Sequence, residues 1–334
     1  MTPARTSVLL PVHNAAETLP ACLESLAWQT ERGFEVVAVD DASTDGSPEL
    51  LERAAAADSR IRVLRREGPP DLVAALELGR AAAEGRYLLR MDADDLAHPQ
   101  RLELQQRALD RDPRVAAVGS LVRSFPHVTP GRLRYDRWLN GLRTHADMAR
   151  ERFVESPLAH PSVLLRAEPL ERIGGYRAIA GPEDYDLWLR MLGAGLRLAK
   201  VPRTLLFWRD GEGRASRRDP RYRPDGFARV RAEALAALVG GRPVCLVGAG
   251  TAGRRLARQL LQRGVELQAF WEVDPKKVGR APYGIEVLPH AEGVRRRGDA
   301  LVFSCVNAWG ARQRVRGWLR EAGLTEGRDF FLAG

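Results

Sequence analysis

Strand-like and helix-like segments alternate through the first third of the chain, a pattern that few folds satisfy other than an α/β sheet, mostly parallel, with helices on both faces. Ser7 to Val12 is a short apolar run, after which Leu19, Cys22, Leu23 and Leu26 recur at the spacing of an amphipathic helix. Glu35 to Asp40, Ile61 to Leu64 and Arg86 to Met91 read as further strands. Asp71 to Glu84 and Pro99 to Arg111 read as helices, and Val115 to Val122 as the next strand. Ligands of such sheets sit at the carboxyl ends of the strands, which directs attention to the loops after Val12, Asp40 and Met91. From Phe125 to Asp225 the pattern loosens into proline-, glycine- and arginine-rich loops, with one helix expected at Glu183 to Leu192. A helix over Phe227 to Val239 ends at Gly240-Gly241, where a second domain is expected to begin, dividing the chain into 1–240 and 241–334.

The 334 residues suffice for two domains with sizeable cores. Apolar residues at 45% and charged residues at 28% are the composition of a folded globular protein. The N-terminus lacks a signal peptide's basic start and cleavage pattern, and no apolar run of membrane-spanning length occurs, so a cytoplasmic protein is expected. Cys22, Cys245 and Cys305 are odd in number and widely spaced, which implies neither a disulfide framework nor a zinc site. The net charge is +9, and of 52 Lys and Arg residues only Lys200, Lys276 and Lys277 are lysines. Guanidinium groups grip phosphate in a bidentate fork, so anionic partners are allowed, although an arginine-rich solvated surface explains the same count. No nucleic-acid module is present in the sequence, and basic residues do not interleave with aromatics as in single-strand binders.

Two acidic loops carry the chemistry. Strand Arg86 to Met91 runs into Asp92-Ala93-Asp94-Asp95, carboxylates whose repulsion a hard cation such as Mg²⁺ or Mn²⁺ would relieve while bridging a nucleotide diphosphate; a loop capping the next helix is the simpler alternative. Asp40-Asp41-Ala42-Ser43-Thr44-Asp45-Gly46-Ser47 reads either as a donor-accepting loop for a base or ribose or as an ordinary turn and helix cap. Five ordered blocks hold these loops: SVLLPVHNAAETLPACLESLAWQT, EVVAVDDASTDGS, GRYLLRMDADDLAHPQRLELQ, HPSVLLRAEPLERIGGYR, and GPEDYDLWLRMLGAG with LLFWRDGEGRAS. Together they resemble the inverting glycosyltransferases of family 2, with a GT-A, Rossmann-like nucleotide-diphospho-sugar fold, over residues 5 to 216. The helix before the acidic strand reads LVAALELGRAAAEG, without the asparagine frequent in relatives.

The resemblance implies that Pro11, His13, Asn14 and Glu17 lie along the nucleotide and that Asp41 contacts the base. It implies that Asp92 approaches the ribose and that Asp94, with Asp95 adjacent, holds the divalent ion. Asp184 matches the catalytic base, Glu183 supports it, and Arg209 matches a recurrent donor-binding arginine. A direct displacement at an anomeric carbon needs that base for the acceptor hydroxyl and an electrophile for the leaving diphosphate. The implied partners are a nucleotide-diphosphate sugar and a saccharide or lipid-linked saccharide, in bacterial polysaccharide or glycolipid assembly. His160 is a candidate site-lining residue. Trp188, four residues after Asp184, is either a sugar-stacking or a core residue. Arg203, Arg209, Arg214, Arg217, Arg218, Arg221 and Arg223 crowd one segment that would clamp a pyrophosphate, permit peripheral contact with the inner membrane face, or simply stand in solvent.

Beyond residue 243 a strand, Val244 to Val247, enters Gly248-Ala249-Gly250-Thr251-Ala252-Gly253 and a helix, the setting that the GxGxxG motif requires. A second strand, Glu266 to Trp271, leads to Glu272 and Asp274, of which Asp274 follows the last glycine at the distance expected of a ribose-binding acid, and Asn307 follows another strand. This unit resembles the Rossmann-like domain of bacterial sugar acetyltransferases, which implies a nucleotide or NAD(P) ligand, or a structural role. Two other functions remain open at this point: a nucleotide-sugar-binding regulator, and an NAD-dependent oxidoreductase using the glycine turn.

Overall fold

The computed structural model describes residues 5–211, 219–308 and 310–334. In chain order the elements are β1 (Thr6–Val12), α1 (Leu19–Ala27), β2 (Phe34–Asp41), α2 (Ser47–Ala57), β3 (Ile61–Arg66), α3 (Leu72–Ala82), β4 (Tyr87–Arg90), β5 (Leu96–Ala97), α4 (Arg101–Arg111), β6 (Val115–Pro126), α5 (Pro130–Gly141) and α6 (His145–Glu151). They continue with β7 (Leu164–Arg166), α7 (Ala167–Arg172), α8 (Glu183–Gly193), β8 (Arg197–Asp210), α9 (Pro224–Val239), β9 (Val244–Val247), α10 (Thr251–Leu261), β10 (Leu267–Glu272), β11 (Val287–Pro289), α11 (His290–Arg296), β12 (Leu301–Ser304), α12 (Ala311–Glu321) and β13 (Phe330–Leu332). The chain forms two compact units: residues 1–148, 157–178 and 190–217, and residues 149–156, 179–189 and 218–334.

The first unit is built on an eight-stranded sheet in the order β3-β2-β1-β4-β7-β6-β8-β5. Strands β1 to β4 are parallel, β7 runs antiparallel to β4 and β6, and β5 antiparallel to β8. The expected strands and helices up to Val122 are all present. The segment 125–225, read as loops around one helix, is more ordered than expected. It holds α5, α6 and α7, and the fourteen-residue β8, which pairs in parallel with β6. The reason is local: in Arg197–Asp210 buried Leu198 and Lys200, and then Leu206, Trp208 and Asp210, fall at every second position, around an irregular middle in which Leu205 is buried out of phase. Arginine, lysine and proline among them hide that period-two pattern. The core runs from Val8, Leu10 and Val12 through Leu19, Leu26 and Leu102 to Leu164, Leu206 and Trp208.

The second unit carries a five-stranded, wholly parallel sheet in the order β11-β10-β9-β12-β13. Its core joins Val244, Leu246, Phe270 and Phe303 to Phe153, Tyr185, Leu189, Val230 and Leu235. Phe331 meets Phe153 edge-on, with ring centroids 5.7 Å apart. Among the described residues no helix is long and apolar enough to cross a membrane.

Candidate active site

The loops after β1 and β2 are locked together by their own polar side chains. Asn14 and Ala42 take left-handed backbone angles (φ 49° and 55°). Asn14 is enriched in that region because its short amide bonds locally, and here its Oδ1 accepts from the Thr44 N–H at 2.8 Å. Ala15 donates to Ser47 Oγ at 2.9 Å and Ala16 to Asp45 Oδ2 at 3.0 Å. The His13 Nδ1–H donates to the Asp41 carbonyl at 2.7 Å, leaving Nε2 to accept from the Asn14 amide. His13, Asn14 and Glu17 are exposed, and Pro11 half-buried. Asp41 is buried, and its carboxylate accepts from Arg66 and from the Asp71 N–H at 2.8 Å. Arg66 was not foreseen in the sequence, where it stands among other arginines.

Asp92, Asp94 and Asp95 each offer an oxygen within 4.8 Å of the others, at the carboxyl end of β4. Helix α1 reaches this turn through Thr18 Oγ1, which donates to the Ala93 carbonyl at 3.1 Å. The three acids differ in setting. Asp92 pairs with the buried Arg90. Asp95 is fully buried, and its Oδ1 accepts from the Arg209 N–H at 2.7 Å. The Arg209 Nε donates to the Asp94 carbonyl at 2.8 Å, while its guanidinium lies over the Phe125 ring. Strand β8 thus presents Arg209 to the acidic turn, and Asp92 and Asp94 keep partial exposure. An all-carboxylate set of this kind suits a hard divalent cation that retains other oxygen ligands.

Glu183 and Asp184 open α8 in the second unit. Glu183 is buried, and its Oε2 accepts from the Tyr222 hydroxyl at 2.6 Å. Burial, then the charges of Glu183 and Asp184, push the Tyr222 phenol well above its ordinary value, so it stays a donor. The Ser156 hydroxyl donates to Asp184 Oδ2 at 3.4 Å. The turn before them is held by a close backbone approach: a methyl on Gly181 would stand 2.9 Å from the Gly226 carbonyl oxygen. Tyr222, Ser156 and Gly226 were invisible to sequence reasoning because they are remote in the chain. Trp188 is fully buried and offers no face to a sugar, which is the core alternative. His160 is also buried, with Nε2 3.0 Å from the Tyr176 hydroxyl. Arg203 and Arg223 are exposed, Arg221 pairs with Asp219, and Arg214, Arg217 and Arg218 lie outside the described residues.

The model of the family described as "Glycosyl transferase family 2" matches residues 7–174, about half of the chain, and spans both acidic loops. The chain belongs to glycosyl transferase family 2. Among its relatives, the putative glycosyltransferase EpsE of Bacillus subtilis is 30% identical over 225 residues, covering 66% of this chain and 78% of that one. The amylovoran biosynthesis glycosyltransferase AmsE of Erwinia amylovora is 29% identical over 214 residues, covering 64% and 79%. Two solved structures share the fold. Staphylococcus aureus TarS 1-349, in complex with UDP-GlcNAc, superimposes with a TM-score of 0.55 at 18% identity, covering 77% of this chain and 71% of that one. The Pyrobaculum calidifontis mannosyltransferase PcManGT, in complex with GDP-Man and Mn²⁺, gives 0.53 at 21% identity, covering 79% and 70%. The chain is therefore a glycosyltransferase with a GT-A-like sheet and a second, small parallel sheet.

In this family 2 enzyme the glycine turn lies between β9 and α10. Gly248 adopts φ +99°, and Gly253 packs so closely on the Gly248 carbonyl that a β-carbon there has no room. The acid that reaches this turn is Glu272, the last residue of β10: its Oε2 accepts from the Ala249 N–H at 3.0 Å and its Oε1 from the Val273 N–H at 2.9 Å. Burial pushes its carboxyl up, but the N–H groups of Ala249, Asp274 and Val273, with Lys277, outweigh this and hold it below the usual range. Asp274 lies two residues past the strand, where its carboxylate caps the Lys276 N–H at 3.0 Å. Gly250 is half-buried and Asn307 exposed.

Proposed function

We propose that this glycosyltransferase moves a sugar, with inversion, from a nucleotide-diphosphate donor to a hydroxyl of a saccharide or lipid-linked saccharide. The observation that carries the reading is the group Asp92, Asp94 and Asp95, gathered within 4.8 Å at the end of β4. The resemblance implies Asp94 and Asp95 as ligands of a Mn²⁺ or Mg²⁺ ion and Asp92 at the ribose; because Asp95 is buried on the Arg209 N–H, this reading instead gives the ion to Asp94 and Asp92 and lets Asp95 anchor the turn to β8. When bound, such an ion neutralises charge on the leaving diphosphate. Pro11, His13, Asn14 and Glu17 line the donor, Asp41 takes the base, and Arg209 steadies the acidic turn.

Asp184 accepts the proton of the acceptor hydroxyl as that oxygen bonds to the anomeric carbon, and the bond from that carbon to the diphosphate breaks. Glu183, held by Tyr222, fixes the first turn of α8 in which Asp184 stands. The setting in this reading is bacterial polysaccharide or glycolipid assembly, in line with the name of the amylovoran biosynthesis relative, and peripheral contact at the inner membrane face would rest on exposed arginines such as Arg203 and Arg223. Residues 1–240 carry the transfer chemistry in this reading. Residues 241–334 form a Rossmann-like nucleotide-binding domain resembling that of sugar acetyltransferases. Its support is the strand order, whose reversal between β9 and β12 opens the crevice where such sheets bind nucleotides.

Calorimetric titration with UDP-, GDP- and dTDP-sugars, with and without Mn²⁺, tests the reading. One nucleotide class should bind in a metal-dependent manner and lose that binding in Asp94→Ala. Equal binding with and without metal by both proteins would remove the acidic turn from the mechanism.

A further inference from the structure

At the end of β4 the strand ladder is incomplete. The Arg90 N–H donates to the Val163 carbonyl at 2.9 Å, continuing the antiparallel pairing of β4 with β7. The return bond of that pair is missing, because the Val163 N–H turns to the His160 carbonyl within the 3-10 turn His160–Ser162. A buried carbonyl left in this way needs another donor. Arg101, in the first turn of α4 and wholly without exposed surface, supplies it: one nitrogen, Nη2, donates to the Arg90 carbonyl at 2.8 Å and to the Pro161 carbonyl at 2.6 Å. Its Nη1 lies 3.1 Å from Met91 Sδ, and its Nε donates to Gln105 Oε1 at 3.1 Å. Gln105 in turn donates to the Val118 and Ser162 carbonyls, both at 2.8 Å. One guanidinium therefore clamps the residue from which the chain enters Asp92–Asp95 to the turn that carries His160.

We propose that Arg101 is a positioning residue for the metal-binding turn, setting the direction in which β4 delivers Asp92 and Asp94. The inference rests on the reading of those acids as ion ligands. A planar fork that bonds two carbonyls and a neighbouring amide is not reproduced by an ammonium, so the role belongs to geometry as well as to charge. Burial holds the Arg101 guanidinium down to about 9, an effect that Arg90 adds to and that Asp95, Cys22 and Asp92 oppose.

The test uses full-length Arg101→Lys, which keeps a basic nitrogen and loses the fork. Mn²⁺ would be titrated by electron paramagnetic resonance in the presence of UDP and, separately, GDP, alongside kcat, KM and thermal melts. The expected result is Mn²⁺ binding weakened about tenfold, in line with substitutions behind first ligands, and a matching fall in kcat. Nucleotide affinity without metal should stay within about twofold of the natural protein's, since the nucleotide loops are untouched. Gln105→Leu, which spares the bonds to Arg90 and Pro161, should lower the melting temperature and leave Mn²⁺ affinity in place. Natural Mn²⁺ affinity and kcat in Arg101→Lys would overturn the inference. So would equal Mn²⁺ loss in Gln105→Leu, or an Arg101→Lys chain without a cooperative melt, since either makes the residue merely structural. Failure of the parent reading looks different: Asp94→Asn would then bind Mn²⁺ as the natural protein does.

Discussion

Two strand ends, one in each unit, meet the same architectural opportunity in opposite ways. At the end of β4 the chain gathers three carboxylates and surrounds them with Arg90 and Arg209. At the end of β9 it keeps the side chains small, in a glycine-rich turn with a single acid, Glu272, on its backbone. The first arrangement is a concentration of negative charge that a divalent cation would relieve. The second places the N-terminus of α10 beside a turn whose Ala249 N–H is already held by the Glu272 carboxylate. Parallel sheets thus fix where a ligand sits, and the residues at the strand end fix its sign.

The largest expected effect comes from Asp94→Ala, which should reduce turnover about 10³-fold and abolish Mn²⁺-dependent donor binding. Any metal-independent nucleotide binding at the glycine turn should survive it. Should NAD(H) or a nucleotide sugar bind there and turnover persist in the variant, the contrast between the two strand ends would be reversed. Asp184→Asn should lower kcat about 10²-fold with donor affinity within about twofold, measured by single-turnover kinetics and calorimetry. A large loss of donor affinity instead would make Asp184 a binding residue. Gly253→Ala, which forces a methyl onto the Gly248 carbonyl, should cost about 1–3 kcal/mol in chemical denaturation. An unchanged midpoint would mean that the turn is more pliable than its packing implies. Glu272→Gln is the mildest change, expected to cost about 1 kcal/mol by weakening the bonds to Ala249 and Val273.

The alternating sheet of the first unit was legible because buried parallel strands read as apolar runs and their helices as 3.6-residue stripes. The acidic turn was legible too, since its three acids are neighbours in the chain. Strand β8 was not, because Arg197, Arg203 and Arg209 interrupt its apolar positions. The partners of the proposed base escaped for a different reason: Ser156 and Tyr222 reach Asp184 and Glu183 only through folding of distant segments. Counting residues past the glycine turn led to Asp274, whereas the acid that bonds the turn is set by where β10 stops, at Glu272. Which of Asp94 and Asp95 faces outward was likewise beyond local pattern, because it depends on the late arrival of Arg209 from β8.

The contact between Phe153 and Phe331 has a consequence for the making of the protein. At synthesis rates of about 5–20 residues per second, roughly 10–40 s separate the emergence of these two rings from the ribosome. For that interval Phe153 waits without the ring of Phe331, whereas the ring partner of Tyr185, Phe227, emerges soon after it. The second unit therefore completes this part of its core only after Phe331 has emerged, and long-range closures of this kind are slow and exposed to aggregation.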